Sequence, residues 1–334
     1  GEVELRDAQH LWGMGTRECD RVIKAELGDE DIQTAVIGPA GENKVLISCI
    51  IFSWFCSASR GGPGAVMGSK NLKAIAVRGT GGLKPADGRR FNELAVRARQ
   101  ELARDTSSEF LYRWGTSGYA PGLNQVGMMV SYNFRVNRFD ASDILGGQYL
   151  EDEGYLTGRE SCFACSIACH RYVRTKEHRY GKVDDCGPEV ESICSLAAEC
   201  AIGDTEYMLK ANQLCNDYGL DTISAGHVMS WAMETYEKGL ITDDQTGGLG
   251  IRFGNARVAL ELLRRIAFRQ GWLGNLLANG TKRASEEVGG DSWKWAIQHR
   301  GLEQSLVDTR LCKGYALGFA LNPRGPDHLT NQPI

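Results

Sequence analysis

Three of the eleven cysteines stand within eight residues, and this spacing restricts the fold more than any other feature. Cys162, Cys165 and Cys169 form a Cys-x2-Cys-x3-Cys arrangement, which can present three thiolates from one compact turn to the irons of a cubane cluster. Zinc ordinarily requires two ligand pairs or a histidine partner. His170 and His178 keep zinc open as an alternative, although neither stands at a usual finger spacing, and unligated thiols are the third possibility.

The other cysteines do not indicate a disulfide framework. The cysteine count is odd, the chain is long and the thiols crowd together, so metal ligation in a reducing compartment is favoured. Free cysteine is often buried. Five of the remaining thiols are therefore interpreted as small buried hydrophobic residues, namely Cys49, Cys56, Cys194, Cys200 and Cys215.

Length and charge limit the class of protein. The 334 residues suffice for about two domains. With 38 Lys and Arg against 42 Asp and Glu, and no long block of either sign, neither a nucleic acid nor an anionic membrane surface is expected as a partner. No apolar run reaches the ~18 residues of a membrane-spanning helix. The start at Gly1 rather than Met, and the stop at Ile334, predict a fragment.

Patterning predicts an α+β fold with a β-rich first part and a mainly helical second part. Apolar, β-branched runs at residues 34–37, 45–52 and 73–77 are bounded by Gly or Pro, which is typical of strands. After residues 79–82 the spacing becomes helical, so a boundary is expected near residue 83.

Helices are predicted from residue 192 to 290. Their apolar stripes include Met208, Ala211 and Cys215, then residues 228–235 and 258–266. Residues 107–152 lack a clear period and are rich in Gly, Asn and Ser, which predicts a long ordered loop around a functional cavity.

Four further stretches carry candidate site residues. A glycine-dense segment, residues 59–73, places Arg60, Gly61 and Gly62 before two lysines, so it predicts either a phosphate cradle or a tight turn into a strand. It matches neither the P-loop spacing nor the dinucleotide fingerprint. Residues 215–224 join two helices, and their carboxylates either satisfy backbone amides or accept hydrogen bonds from a ligand.

The other two stretches carry acids and a histidine. Glu189 and Glu191 open a helix, where acids also stabilise the helix dipole without any catalytic role. Residues 322–328 form a Pro- and Gly-held loop that carries Arg324 and His328, and a lone histidine in such a loop is usually an ordinary surface residue.

Taken together and in this order, these five stretches resemble the tungsten-containing aldehyde:ferredoxin oxidoreductase family. Residues 3–13, 37–43 and 276–281 extend the resemblance over nearly the whole chain. The resemblance implies a β-structured domain that forms a saddle for two molybdopterins, followed by helical domains. Residues 1–83 would be the later part of the first domain, residues 84–300 the second, and residues 301–334 the start of a truncated third.

The resemblance also implies roles for particular residues. Cys162, Cys165 and Cys169 would be three ligands of a 4Fe-4S cluster; the fourth is expected to be absent, because the surroundings of Cys312 do not match. Arg60, Gly61 and Gly62 would contact pterin phosphates and a bridging magnesium. The pterin-binding turn would comprise Asn216, Asp217, Gly219, Leu220 and Asp221, with Asn216 where relatives commonly carry Asp. Glu191 would be a general base and His328 would hydrogen-bond a substrate oxygen or relay a proton.

The implied reaction is oxidation of an aldehyde with water to a carboxylate at a tungsten or molybdenum bis-pterin centre. Electrons would pass through the cluster to ferredoxin, in a cytoplasmic protein for which family precedent suggests a homodimer. One alternative is a relative that reduces a carboxylate or an aromatic acyl thioester. A non-catalytic electron-transfer or scaffold subunit and a simple zinc-binding module are the others.

Overall fold

A four-stranded antiparallel sheet organises the first part of the chain, in a computed structural model that describes residues 3–330. The strands are β1 (Gln33–Val36), β2 (Ile50–Phe52), β3 (Cys56–Ala58) and β4 (Ala74–Val77), in the order β3-β2-β1-β4. Three helices accompany the sheet: α1 (Thr16–Leu27), α2 (Pro39–Glu42) and α3 (Pro63–Ser69). Helix α1 buries Cys19 and Ile23 in a small core with Leu11 and Val36.

The second predicted strand is shorter than expected. Of residues 45–52 only Ile50–Phe52 are extended in the sheet. Val45, Ile47 and Cys49 are buried, but their segment runs between the two parts of the molecule. Its amides bond outward, from Leu46 to the carbonyl of Ala278 and from Cys49 to that of Gly219. The apolar run therefore reflects burial between the two parts of the molecule and not a longer strand.

The second part is mainly helical and confirms the α+β class. Its helices are α4 (Gly88–Leu102), α5 (Thr106–Trp114), α6 (Ala120–Gln125), α7 (Gly147–Asp152), α8 (Val190–Ile193), α9 (Thr205–Tyr218), α10 (Thr222–Glu237), α11 (Asp243–Thr246), α12 (Ala256–Ala267), α13 (Gly271–Leu277), α14 (Gly280–Val288) and α15 (Lys313–Leu321). Strands β5 (Leu156–Glu160), β6 (His170–Arg174) and β7 (Asp184–Cys186) form one antiparallel sheet, and β8 (Gln298–His299) pairs with β9 (Leu302–Glu303). The main core surrounds the buried helix α10.

The prediction of a long loop at residues 107–152 was wrong. Helices α5, α6 and α7 occupy much of this segment, together with 3-10 turns at Thr116–Tyr119 and Ser142–Ile144. Asp105 caps α5 by accepting from the Ser108 amide at 2.6 Å. These helices are too short for an apolar period to be visible in the sequence.

The predicted domain divisions remain predictions. The boundary near residue 83 falls between β4 and α4, and residues 1–2 and 331–334 of the terminal segments lie outside the described residues. Among the helices of residues 3–330, none combines the length and the apolar character needed to span a membrane.

A buried carboxylate lies inside the helical core. Glu199 follows a single π-helical turn at Cys194–Ala198 and is fully buried. It accepts hydrogen bonds from the Phe134 amide at 3.2 Å and from the Ser230 hydroxyl at 3.3 Å. Burial raises the pKa of the Glu199 carboxyl to about 8, despite these two bonds.

This carboxyl should make stability depend on pH. The folded pKa of about 8 lies above the unfolded value of about 4.3, so the stabilisation is complete below the unfolded pKa and is lost as pH rises through the folded one. The free energy of unfolding of the native chain should fall relative to that of Glu199→Gln by up to about 1.4 kcal/mol per pH unit in this window. Denaturant unfolding at pH 5, 6.5 and 8 measures the difference.

The exposed Glu153→Gln is the control for this experiment, because its carboxyl is half exposed beside Lys176. A difference between Glu199→Gln and the native chain that is constant from pH 5 to 8 would contradict the raised pKa.

Candidate functional site

A basic cavity of about 640 Å³ lies where the glycine-dense segment meets helix α14. Gly62 adopts a φ of 73°, and a Cβ there would lie 2.4 Å from the carbonyl oxygen of Leu46, so only glycine lets the two backbones approach. Five cationic side chains line the cavity: Lys44, Lys282, Arg283, Arg300 and Arg324. Lysine and arginine at a glycine-lined wall suit an anionic ligand of phosphate type.

Arg60 directly precedes Gly61 and Gly62, which line this cavity, and is itself almost fully buried. Its guanidinium donates to the carbonyl oxygen of Glu303 at 2.5 Å, to the Ser305 hydroxyl at 3.2 Å and to the carbonyl oxygen of Pro326 at 3.4 Å. It also forms a buried ion pair with Asp221 at 3.4 Å. Arg60 therefore ties the glycine-dense segment to the start of α10 and to the last described thirty residues.

Two buried carboxylates accompany Arg60. Asp221 caps α10, accepting from the Ile223 amide at 3.1 Å, while Glu303 accepts from the Thr281 amide at 2.8 Å. The Ser224 hydroxyl lies 2.8 Å from Asp221 Oδ2 and 2.7 Å from Glu303 Oε2. A hydroxyl has one proton, so it can donate to only one of these oxygens at a time. Ser224 lies in the stretch 215–224 that the sequence singled out, whereas Glu303 and Ser305 carried no recognisable sequence motif.

The two predicted catalytic residues come together beside this group. Glu191 Oε1 lies 3.6 Å from His328 Nδ1, and Glu191 Oε2 accepts from the Leu306 amide at 2.9 Å. The Ser305 hydroxyl is 2.9 Å from His328 Nδ1 and also receives a hydrogen bond from Arg60. Arg60, Ser305, His328 and Glu191 thus form one connected polar network.

Glu189 points to a different place, although it stands only two residues earlier. It forms an ion pair with the buried Arg171 at 2.9 Å and accepts a short hydrogen bond from the Thr116 hydroxyl. The two acids at the start of α8 therefore contact different groups of residues.

His227 is a further polar residue near Arg60 that the sequence did not reveal. It is fully buried in α10, and its Nδ1 lies 3.1 Å from the carbonyl oxygen of Ile223. Burial and the charge of Arg60 lower the pKa of His227 to about 3, so the imidazole is neutral and Nδ1 carries the proton. Its Nε2 has no hydrogen-bond partner within residues 3–330.

Only one residue of the predicted pterin-binding turn reaches the Arg60 network. Asn216 donates to Asp185 Oδ2 at 3.0 Å, and Asp217 packs against Gly15, where burial raises the pKa of its carboxyl. Gly219 ends α9 with a φ of 71°, and Leu220 forms a bridge with Ser48. Asp221 alone contacts Arg60, so the roles of the other turn residues remain predictions.

The cysteine-rich segment lies between β5 and β6, next to the end of β3. Cys162 and Cys165 are exposed and Cys169 is half-buried, and the Cys165 amide donates to the Cys162 carbonyl at 3.0 Å. Three thiols on one compact turn have the donor chemistry that an iron–sulfur cluster uses. The interpretation of Cys56 as a buried hydrophobic residue was wrong, because it is partly exposed and its Sγ lies 3.7 Å from His170 Nε2.

Comparison with protein families decides the membership of this chain. Residues 1–79 match the N-terminal domain of aldehyde ferredoxin oxidoreductase, and residues 93–334 match domains 2 and 3 of the same family. The chain belongs to the aldehyde ferredoxin oxidoreductase family.

Relatives within this family agree. The tungsten-containing aldehyde ferredoxin oxidoreductases of Pyrococcus horikoshii and Pyrococcus furiosus are each 37% identical to it, over 99% of this chain and 54% of theirs. The WOR-like subunit of an aliphatic sulfonate oxidoreductase from Pyrococcus furiosus is 28% identical, over 99% of this chain and 55% of its own length. The chain spans about half the length of the curated relatives it matches.

A solved structure shares the same fold. The active-site complex BamBC of benzoyl coenzyme A reductase, bound to 1,5-dienoyl-CoA, superposes with a TM-score of 0.76. The sequence identity is 30%, and the match covers 92% of this chain and 47% of that one. The family fold therefore occurs in proteins whose names give different substrates.

Arg60→Ala should destabilise the chain strongly. Removing the guanidinium leaves the buried Asp221 carboxylate without its cation and three oxygens without their donor, so a loss of ~3–5 kcal/mol is expected in the free energy of unfolding. The control Arg89→Ala removes a 90% exposed side chain and should cost less than ~0.5 kcal/mol. Urea titrations of both variants measure this, and equal losses would contradict the central role of Arg60.

Proposed function

We propose that this chain contributes the active site of a tungsten-dependent aldehyde:ferredoxin oxidoreductase, which oxidises an aldehyde with water to a carboxylate. The single observation that carries the proposal is the pairing of Glu191 with His328 beside the Arg60 network and the basic cavity. Family membership and the tungsten-containing relatives support the cofactor. We also propose ferredoxin as the electron acceptor. Molybdenum in place of tungsten is the alternative metal.

The residues of the cavity fit the phosphate ends of a bis-pterin. Gly61 and Gly62 line it directly after the buried Arg60, and its five cationic side chains would neutralise the phosphates, with magnesium as an additional cation. The neutral His227 would offer an acceptor, and Asp221, held as the cap of α10, would offer a fixed carboxylate to pterin nitrogens. When bound, the metal–pterin group supplies the two-electron redox chemistry, and the protein supplies binding, orientation and proton transfer.

Glu191 is suited to accept a proton from water. The side chain is 14% exposed, and the Leu306 amide holds one of its oxygens, which leaves the other directed at His328. The 3.6 Å separation from His328 Nδ1 exceeds a hydrogen bond, and such contacts commonly tighten when substrate binds. His328, held by Ser305, would then hydrogen-bond the substrate oxygen or pass the proton onward.

The cysteine turn is suited to electron exit. Cys162, Cys165 and Cys169 would hold three corners of a 4Fe-4S cluster that passes electrons one at a time to a protein acceptor. Phe163, inside the same turn, is 94% exposed. An exposed aromatic ring beside a cluster offers an apolar contact for a small electron carrier such as ferredoxin.

Glu191→Gln should lower aldehyde turnover at least ~100-fold, because positioned proton transfer commonly contributes about 10²–10⁴-fold. The amide can still accept from Leu306, so the fold and the metal content should be unchanged. The measurement is aldehyde-dependent reduction of a viologen dye by the complete protein, matched for tungsten.

Glu237→Gln is the matched control, since that carboxylate is exposed and pairs only with the exposed Arg135 among the contacts of the described chain. Its turnover should stay within about twofold of the native value, as a surface substitution changes little. Similar small losses of turnover in both variants would contradict a catalytic role for Glu191. Its carboxylate would then only stabilise the start of α8.

Cys165→Ala should remove the cluster from the complete protein prepared without oxygen. The substitution removes one of the three thiolates of the turn. The other two, Cys162 and Cys169, are already ligands, so the turn offers no replacement. Iron and acid-labile sulfide should fall to less than about a fifth of the native content, as expected when one of few ligands is missing. Full retention of iron and sulfide would show that this turn does not carry a cluster.

A second candidate is the reduction of an aromatic acyl thioester. The structural match to benzoyl coenzyme A reductase favours it, because 92% of this chain superposes on that protein. Assays of the complete protein with aldehydes and with aromatic acyl thioesters separate the two activities. A complete protein that lacks tungsten would support a non-catalytic subunit instead.

A further inference from the structure

Three side chains from separate elements meet beside the cysteine turn. Cys56 comes from β3 of the first sheet, His170 from β6 of the second, and Cys162 from the loop between β5 and β6. Their ligand atoms all lie within 4.8 Å of one another. The Cys162 thiol therefore has two neighbouring ligand groups, His170 and Cys56, that lie outside the Cys-x2-Cys-x3-Cys spacing.

The distances match a single tetrahedral ion. His170 Nε2 lies 3.5 Å from Cys162 Sγ and 3.7 Å from Cys56 Sγ. Bonds of about 2.3 Å to sulfur and about 2.05 Å to nitrogen, at tetrahedral angles, place a sulfur and a nitrogen ligand about 3.6 Å apart. Both observed separations agree with this value to about 0.1 Å.

The surroundings of His170 also resemble those of a metal ligand. Its other ring nitrogen, Nδ1, lies 3.8 Å from the Glu189 carboxylate, and Arg171 holds that carboxylate in turn at 2.9 Å. A carboxylate behind a histidine favours the tautomer whose opposite nitrogen is free to bind metal. The ring of Phe55 packs edge-on against the imidazole at 5.4 Å, so its orientation is also fixed sterically.

We propose that Cys56, Cys162 and His170 form a mononuclear metal site for Zn²⁺, with Glu189 as the positioning carboxylate behind His170. Two thiolates and one imidazole are ligands that zinc prefers, and the exposed side of Cys162 leaves a fourth position open. This site takes Cys56 and His170 from outside the cluster ligands of the proposed function and shares Cys162 with them. One molecule can therefore hold the zinc ion or the cluster, and zinc blocks cluster assembly.

The first test is zinc binding to the complete protein purified without a cluster. Competition with a chromogenic chelator should give one Zn²⁺ per chain, and Cys56→Ser and His170→Ala should each weaken its affinity by at least ~100-fold, more than the 10–100-fold typical of losing an outer-shell partner. Cys165→Ser is the matched control, because it removes a thiol from the same turn but not from the group. Its zinc affinity should stay within about threefold of the native value.

Co²⁺ provides a readout that is independent of affinity. Bound in place of zinc, it should give the absorption of a tetrahedral thiolate complex in the native protein and in Cys165→Ser, but not in Cys56→Ser. Circular dichroism of each variant shows whether the fold is retained. Loss of the cobalt spectrum in Cys165→Ser, or its persistence in Cys56→Ser, would overturn the site.

Iron and sulfide analysis of the same variants separates this proposal from the cluster. Cys165→Ser should lose the cluster and keep zinc binding, whereas Cys56→Ser should lose zinc binding and keep the cluster. If Cys56→Ser loses both, Cys56 is a cluster ligand and the mononuclear site is refuted. If Cys165→Ser keeps full iron while Cys56→Ser loses zinc, the cluster assignment fails and the zinc site stands.

Discussion

The buried guanidinium of Arg60 is the interaction on which the rest of the site depends. It joins the glycine-dense segment to Asp221 at the start of α10 and to Glu303, Ser305 and Pro326 near the end of the described chain. A buried cation is tolerated only where carboxylates and carbonyls surround it, so these segments must keep their mutual positions for the charge to remain satisfied. The cavity, the α10 cap and the position of His328 follow from that requirement.

Sequence reasoning predicted the features that have strong local signals. The long helices α9, α10 and α12 carry clear apolar periods. The fold places Glu191 beside His328, and the catalytic roles that the resemblance implied for them stay predictions. Short helices such as α6 leave no such period, which explains the error at residues 107–152. Ser305 and Glu303 could not be found, because only tertiary packing brings a common serine and glutamate to Arg60.

Cys56 shows a different limit of the sequence. Because free cysteine is often buried, the sequence favoured a buried hydrophobic role for Cys56, and its distance in sequence from Cys162 gave no reason to group the two. Antiparallel pairing of β3 at the edge of the first sheet brings its end next to β6 of the second sheet. The spacing of ligands within one segment could be read directly, whereas a ligand supplied by another sheet required the fold.

The start of α8 lies between the cysteine turn and the proposed base. Glu189 faces Arg171 and His170 beside the cysteine turn, whereas Glu191 faces Leu306 and His328 beside the Arg60 network. Since Val190 alone separates these acids and its amide is also bonded, to the Thr116 hydroxyl, the backbone between them has little freedom to move. The cysteine turn and the proposed proton acceptor therefore share contacts with one anchored helix start, and the contacts of Glu189 with Arg171 and His170 are a structural reason for an acid at position 189.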